Sequence, residues 1–387
     1  MSFDVRNLYN WFGDQAEKVW INKRTRGFEK YYEPKPGWTG NVTPVLTDEE
    51  KAQIDEYFLK YYGEKIPYVY HNTYKYLSGK FDVAFFPDFL NSPHLMHFVN
   101  PTEFRKVMGD KNFFPLIAAQ AGVKTAKSYV FNTRGIFFNE NHEIISEDEA
   151  REIIKSKSAV FVKPTVDSYG GAGCFVKEAA EGAKCLTDKD ADDIFSSFSA
   201  EYAVQQLVKN DSSISCMSPN SLNTFRIVTY IYKGKVYHTQ AILRLGVNGA
   251  RVDNASMGGI YVGVHEDGSL TDYAIHDEVC EKVYEHPNTH FKFAGYKLDG
   301  FAKVIEAAER MHTFIPELGI VDWDFALDDQ GEAVLVEANV ANGSGVLMTQ
   351  CILGDSAFGE NTPGILQFIA EAKKIPKSKR EKMRLHL

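Results

Sequence analysis

Two neighbouring runs near the C-terminus, VDWDFALDD (321–329) and AVLVEANVA (333–341), are strand-like except for the acidic groups set into them. Alternation puts Val321, Trp323, Phe325 and Leu327 on one face and Asp322, Asp324 and Asp328 on the other. On the second run Leu335, Glu337 and Asn339 share a face, opposite Val334, Val336 and Val340. A turn at Asp329-Gln330-Gly331 joins the runs, so they read as an antiparallel pair. A charge inside a sheet is expensive unless something answers it. Asp322 and Asp328 suit a solvated sheet edge, whereas Glu337 sits between apolar segments that belong at a sheet centre.

Cations obey the same constraint. Arg226 in NTFRIVTY, Arg244 in ILRLG, Lys163 in FVKP and Lys111 in GDKNFF each replace an apolar residue in an apolar run. Each therefore needs an anionic partner, from the protein or from a ligand. Whether Arg226 and Arg244 share a face depends on the hairpin around Lys233-Gly234-Lys235: an odd loop pairs them and an even loop separates them. After Lys163 comes a loop with Ser168, Gly170, Gly171 and Gly173, whose glycines allow backbone N–H groups to approach a polyphosphate. It lacks the GK[ST] close of a Walker A loop, and a flexible hairpin turn is the alternative. Asp324, Glu337 and Asn339 form a set of hard oxygen donors suited to magnesium bridging carboxylates and nucleotide phosphates. The stretch RVDNASMGGIYVG (251–263), with Asp253, Asn254, Gly258 and Gly259, reads as a loop closing over a substrate or as a plain turn.

Around these groups the pattern is α+β. Helices are expected over 46–63 (Thr47 and Glu50 as a capping box, Gly63 as stop), 101–122 with a break near Gly109, 146–156 capped by Ser146 and Glu149, and 298–315. Strands are expected over 127–131, 159–164, 202–208 and the two long runs flanking Lys233. FDVAFFPDFLNSP (81–93), with two prolines, reads as a loop with short extended pieces. With 43 basic and 52 acidic residues the net charge is −9, which excludes broad nucleic-acid binding. Five scattered cysteines without a CxxC pair read as reduced thiols, and Pro287 weakens His286 and His290 as a metal pair. With no leader-like N-terminus and no long apolar run, the expected location is cytoplasmic. The tail KKIPKSKREKMRLHL reads as solvated, contact with an anionic membrane surface being the alternative.

Taken in order, DKNFFPLIAAQAGVKTAKSYV, VKPTVDSYGGAGCFV, YAVQQLV, NTFRIVTY, VDWDFAL and VLVEAN resemble the ATP-grasp superfamily. FFPDFLN, the LRLG…VDNASMGGI stretch and the WDFAL…EAN close are most similar to its sugar-transfer-associated family, over roughly residues 45–370. The resemblance implies an ATP-grasp fold holding a nucleotide between two α+β subdomains, after a mainly helical N-terminal region. It implies an N-terminal region at 1–104, a pre-lid segment at 105–126, a lid subdomain at 127–208, a catalytic subdomain at 209–372 and a basic tail at 373–387. It implies ATP and Mg2+ as cofactors, with phosphates on Lys111 and Lys163 beneath a lid at Ser168–Gly173. Adenine would meet the hinge at Gln205, Gln206 and Leu207, and magnesium would meet Asp324, Glu337 and Asn339. Arg226, with Arg244, would face the reaction centre. Relatives often carry Glu in the hinge, so Asp211 is the candidate for the ribose. The implied activity is an amide-forming carboxylate–amine ligase acting through an acylphosphate, with a small-molecule or saccharide-linked carboxylate and an amine as partners. The family name points to polysaccharide or glycoconjugate assembly. A small-molecule phosphotransferase and a non-catalytic nucleotide-binding module are the alternatives.

Overall fold

The computed structural model describes residues 5–32, 43–166, 171–251, 253, 258–276, 280–383 and 386–387, with side chains from Leu8 onward. The strands, in chain order, are β1 (Lys124–Thr125), β2 (Ser128–Thr133), β3 (Ile136–Asn139), β4 (Ile144–Ile145), β5 (Ala159–Pro164), β6 (Phe175–Glu178) and β7 (Tyr202–Gln205). They continue with β8 (Phe225–Tyr232), β9 (Lys235–Leu245), β10 (Ile260–Val264), β11 (Leu270–His276), β12 (Glu281–Val283), β13 (Ile320–Leu327) and β14 (Ala333–Asn339). They form a six-stranded sheet, β4-β3-β2-β7-β5-β6, and an eight-stranded sheet, β1-β14-β13-β8-β9-β10-β11-β12. The architecture is α+β, as the alternation of patterns predicts.

Local chemistry explains the element boundaries. Thr47 and Glu50 exchange their capping bonds (3.1 and 2.8 Å) to start the helix Asp48–Tyr61, and Ser146 and Glu149 do so for Glu147–Lys155. The expected helix over 101–122 is two, Thr102–Gly109 and Phe114–Gln120, and the break carries Lys111. The segment 81–93 differs from its reading as an extended loop. Pro87 takes the extended backbone of a residue that precedes a helix, the helix Asp88–Leu90 follows, and Pro93 falls within the widened π-turn Asn91–Met96. Prolines that read as breakers here initiate and widen helical structure.

Three apolar clusters hold the molecule together. Ala150, Ile154, Ala191 and Ile194 cover the six-stranded sheet. Phe301, Val304, Ala308 and Met311 cover one face of the large sheet, and the N-terminal helices with Val346, Ile352, Ile365 and Ile369 cover the other. A buried polar relay pins the sheet to the helix Phe301–Phe314. Trp323 Nε1 donates to Thr229 Oγ1 (2.7 Å), which meets His312 Nδ1 (2.6 Å), while His312 Nε2 meets the Leu318 carbonyl (2.7 Å). Burial pushes the His312 pKa down to about 4, so the ring stays neutral.

The C-terminal segment is not a solvated tail. Lys377–Met383 is helical and docks on the N-terminal helix Val5–Tyr31, with Arg380 buried against Glu17. Glu17 also meets His97 Nε2 at 2.7 Å. Burial opposes the Glu17 charge, but His97 and Arg380 outweigh it and hold its pKa below the ordinary value. Among the described residues no helix is long and apolar enough to cross a membrane. Arg380→Ala strands Glu17 in this contact and should cost about 3 kcal/mol in urea denaturation, because one partner of a buried pair is lost. The stabilisation should fade as pH falls through the depressed Glu17 pKa, and a variant as stable as wild type would contradict the pairing.

Candidate active site

Two bulges decide which side chains meet on the large sheet. The β8–β9 hairpin turns on Lys233 and Gly234, both left-handed (φ 49° and 76°), with Tyr232 opposite Lys235. This even loop alone would send Arg226 and Arg244 to opposite faces. Between Thr229↔His238 and Ile227↔Ala241, however, β9 advances one residue more than β8, and Arg226 comes opposite Ile242. The extra residue restores the parity and brings Arg244 to the Arg226 face. On the other side, β13 pairs with β14 as Asp322↔Asn339 and Asp324↔Glu337, and the next pair, Phe325↔Leu335, skips Val336. Leu335, which strict alternation places beside Glu337, therefore joins Phe325 in the apolar cluster.

The centre of the constellation is the Asp324 carboxylate, which is 2% exposed. Arg226 grips it bidentately, Nε to Oδ1 at 2.9 Å and Nη2 to Oδ2 at 2.8 Å. Arg244 Nη2 donates to Oδ2 at 3.1 Å and Asn339 Nδ2 at 3.3 Å. Burial opposes ionisation, yet the two arginines hold the Asp324 pKa below its usual value. Arg226, opposed by burial but favoured by Asp324, is held above its own. Arg226 Nη1 reaches Ser344 Oγ at 2.8 Å. Three of its five N–H donors are thus engaged and two remain. Arg244 is buried more tightly, bonded to Thr224 Oγ1 (2.6 Å from Nη2) and paired with Asp253 (3.3 Å).

A second cluster adjoins the first. Lys111 Nζ lies 3.4 Å from Glu337 Oε1, and the Lys111 backbone N–H donates to the Thr165 carbonyl beyond the end of β5. Lys163, on β5, is 7% exposed and makes no ion pair with a described residue. Burial, then the like charge of Lys111, pushes its pKa down to about 8, with Glu337 as a partial counterweight. Glu337 is more open, with 31% of its side chain exposed. Among the described residues, two lysines and one carboxylate gather in a nearly dry place, where an anion would be held strongly.

The donors fit a divalent ion. Glu337 has free lone pairs, Asn339 directs its amide N–H toward Asp324 and keeps its oxygen, and Asp324 retains a lone pair on Oδ1. Among the described residues no three His, Cys, Asp or Glu side chains form a cage of their own, so such an ion would draw other ligands from phosphate and water.

The remaining expected site residues fall in several places. Gln205 is buried, its amide donating to Ser128 Oγ (2.9 Å), and Gln206 N–H donates to the Lys127 carbonyl. Gln206 and Leu207 line a cavity of about 140 Å³ with Lys124 and Asp328. Asp211 Oδ1 caps Ser212–Ser215 through the Ser213 N–H (2.8 Å). Gly171 and Gly173 have φ near 75°, and a Cβ on Gly173 would press Pro164 at 3.3 Å. Ser168, Gly170 and Asn254 lie outside the described residues. Asp253 is no free substrate ligand: it is buried, with Oδ2 on Thr224 N–H (2.7 Å) and Oγ1 (2.6 Å). Gly258 is left-handed (φ 84°), and Gly259 leads into β10.

Asp322 and Asp328 are buried, not solvated edges. Asp328 holds Lys124 at 2.5 Å. Asp322 Oδ2 accepts the Gly345 N–H (2.7 Å) where the helix Gly345–Leu353 begins, which favours a negative charge. Burial still raises its pKa to about 6 and that of nearby Asp88 to about 7. A Cβ on Gly343 would lie 2.2 Å from the Asp322 carboxyl, so only glycine fits there. Thr224 and Ser344 were missed. The polar pair Asn223-Thr224 opening an apolar strand was a readable signal, whereas Ser344 carried none.

Lys163→Met should raise the thermal midpoint of the ligand-free protein, since a pKa depressed from 10.5 to about 8 corresponds to roughly 3 kcal/mol against the charged form. The sign follows from linkage. Below pH 8 the folded state bears the full penalty, which fades as pH rises toward 10.5, so the advantage of Met should shrink over that window. A variant less stable than wild type at pH 7 would show that Lys163 is paired.

No functionally curated protein matches the sequence. Among solved structures, D-alanyl-alanine synthetase A from Vibrio cholerae is 15% identical, with 69% of this chain and 64% of that one covered and a TM-score of 0.42. VanG D-Ala:D-Ser ligase from Enterococcus faecalis is 15% identical over 69% and 62% of the two chains, TM-score 0.40. An L-amino acid ligase from Bacillus licheniformis is 14% identical over 70% and 49%, TM-score 0.39. The match thus spans about half to just under two thirds of these chains. The profile of the family described as sugar-transfer associated ATP-grasp matches residues 91–363, which takes in β1–β14, both arginines, both lysines and the acidic pair. The chain belongs to the sugar-transfer-associated ATP-grasp family.

Proposed function

We propose that the protein is an ATP- and Mg2+-dependent ligase that activates a carboxylate as an acylphosphate and passes the acyl group to an amine. The observation that carries this reading is the meeting of Lys163 and Lys111 with Glu337, beside the Arg226–Asp324 pair, in one partly open cluster. A buried lysine that makes no ion pair with a described residue is a poor structural element and a good phosphate ligand.

In this reading Lys111 and Lys163 hold the phosphates, while Glu337, Asn339 and the open side of Asp324 hold the metal. A divalent ion there supplies charge neutralisation for the γ-phosphoryl oxygens. The substrate carboxylate forms a bond to the γ-phosphorus as the bond to the β–γ bridging oxygen breaks, and ADP leaves with the electron pair. The amine then attacks the activated carbonyl, phosphate departs, and the nitrogen loses a proton. Arg226 uses its two uncommitted N–H donors on the reacting oxygens. Arg244, buried and bonded to Thr224, Asp253 and Asp324, acts as a positioning residue. The lid glycines close over the acylphosphate and exclude water.

The substrate class suggested by the family's name is a saccharide-linked or small carboxylate such as a uronic acid, joined to an amine in polysaccharide or glycoconjugate assembly. ADP release should therefore require a carboxylate, tested with pooled uronic and amino acids plus amines, and hydroxylamine should trap a hydroxamate. A stable phosphate ester in place of an amide would make the protein a kinase and overturn the ligase reading. Glu337→Gln should lower magnesium-dependent turnover at least about a hundredfold while melting as wild type does. Unaltered turnover would remove Glu337 from the metal site.

A further inference from the structure

The N-terminal helix Val5–Tyr31 lies on the molecule with its polarity reversed over the first half. Its inner seam runs through Asp14, Glu17, Ile21, Arg24 and Phe28, at the 3-4-3-4 spacing of one helix face. Asp14 accepts the Ser378 N–H (3.0 Å), Glu17 holds Arg380 and His97, and Arg24 Nη2 reaches Asn342 Oδ1 (2.5 Å). Ile21 and Phe28 pack on the core. The outer face carries what a soluble helix normally buries: Leu8 (40% exposed), Trp11 (54%), Phe12 (59%) and Val19 (69%), flanked by Tyr9 and Trp20.

The same outward stripe continues into mainly positive charge. Lys23, Arg26 and Lys30 follow Val19 along it and are exposed, with Lys18 beside them. None of the four makes an ion pair with a described residue, and Glu29 is the only acid among the helix's exposed described residues. Asp14 and Glu17 clamp the helix Lys377–Met383 alongside, and it adds exposed Lys379, Lys382 and Met383 (59%), its exposed acid Glu381 being paired with Lys377. In a chain of net charge −9, a locally cationic face studded with tryptophan and phenylalanine is an exception.

We propose that this face docks on an anionic lipid surface, the aromatic half entering the headgroup region and the basic half neutralised by lipid phosphates. Charge complementarity selects this occupant. A second copy of the chain using the same face would add its own set of unneutralised cations to the contact, whereas anionic headgroups answer them. At 1.5 Å per residue the helix is about 40 Å long, enough to lie in the surface plane with both halves engaged. This inference does not depend on the proposed reaction.

The test is co-sedimentation of the full chain with phosphatidylcholine vesicles, with and without about 30 mol% phosphatidylglycerol. Wild type should partition at least about tenfold better onto the anionic vesicles, and added salt should weaken it. Trp11→Ser with Phe12→Ser should remove most of that partitioning, and so should Lys23→Glu with Arg26→Glu. Both pairs alter outward side chains, so their melting curves should match wild type. Wild type that stays in the supernatant, or variants that pellet equally well, would overturn the proposal. So would a dimer in lipid-free solution that the serine pair dissociates, because the face would then belong to a second copy.

Discussion

The Asp324 carboxylate is the group on which the site's geometry depends. Buried alone it would be ruinous. Shared among Arg226, Arg244 and Asn339 it locks β8, β9, β13 and β14 into one arrangement. Removing either arginine would leave an uncompensated charge, so the pair is kept by mutual need. The arrangement also fixes what is left over: two N–H donors on Arg226, one lone pair on Asp324 Oδ1, and the amide oxygen of Asn339. Those leftovers are the chemistry available to a ligand.

Beside this balanced group lies an unbalanced one. Among the described residues, Lys163 and Lys111 face Glu337, and burial first, then the like charge of Lys111, depresses the Lys163 pKa. A fold optimised for stability alone would place an apolar residue at 163, as it does at Phe161 on the same face of the strand. Keeping an ammonium there costs stability, which the proposed phosphate-binding role would explain. The N-terminal helix shows a comparable departure from local rules, with carboxylates turned inward and aromatics outward.

Much of this was legible in the residues because each local signal had one physical meaning. Both capping boxes, the break before Lys111 and the four embedded cations could be read directly, since a charge in an apolar run must be answered somewhere. What could not be read was parity. The bulge in β9 that brings Arg244 to the Arg226 face, and the bulge at Val336 that turns Leu335 inward, each insert one residue with no sequence mark of their own. Asp322 was misjudged for a related reason. Its environment is set by Gly343, Gly345 and Asp88, residues distant in sequence that no single strand pattern reveals. Prolines 87 and 93 misled because their effect depends on where in a helix they fall.

In the proposed function one nucleotide and one divalent ion bind together beside Lys163 and Glu337. Calorimetric titration of ATP into the protein, with and without Mg2+, addresses that directly. Wild type should bind a single nucleotide, more tightly with Mg2+, and Glu337→Gln should lose the Mg2+ enhancement while still binding ATP. The absence of any binding heat from wild type at millimolar ATP, or a Glu337→Gln protein that keeps the full Mg2+ enhancement, would contradict it.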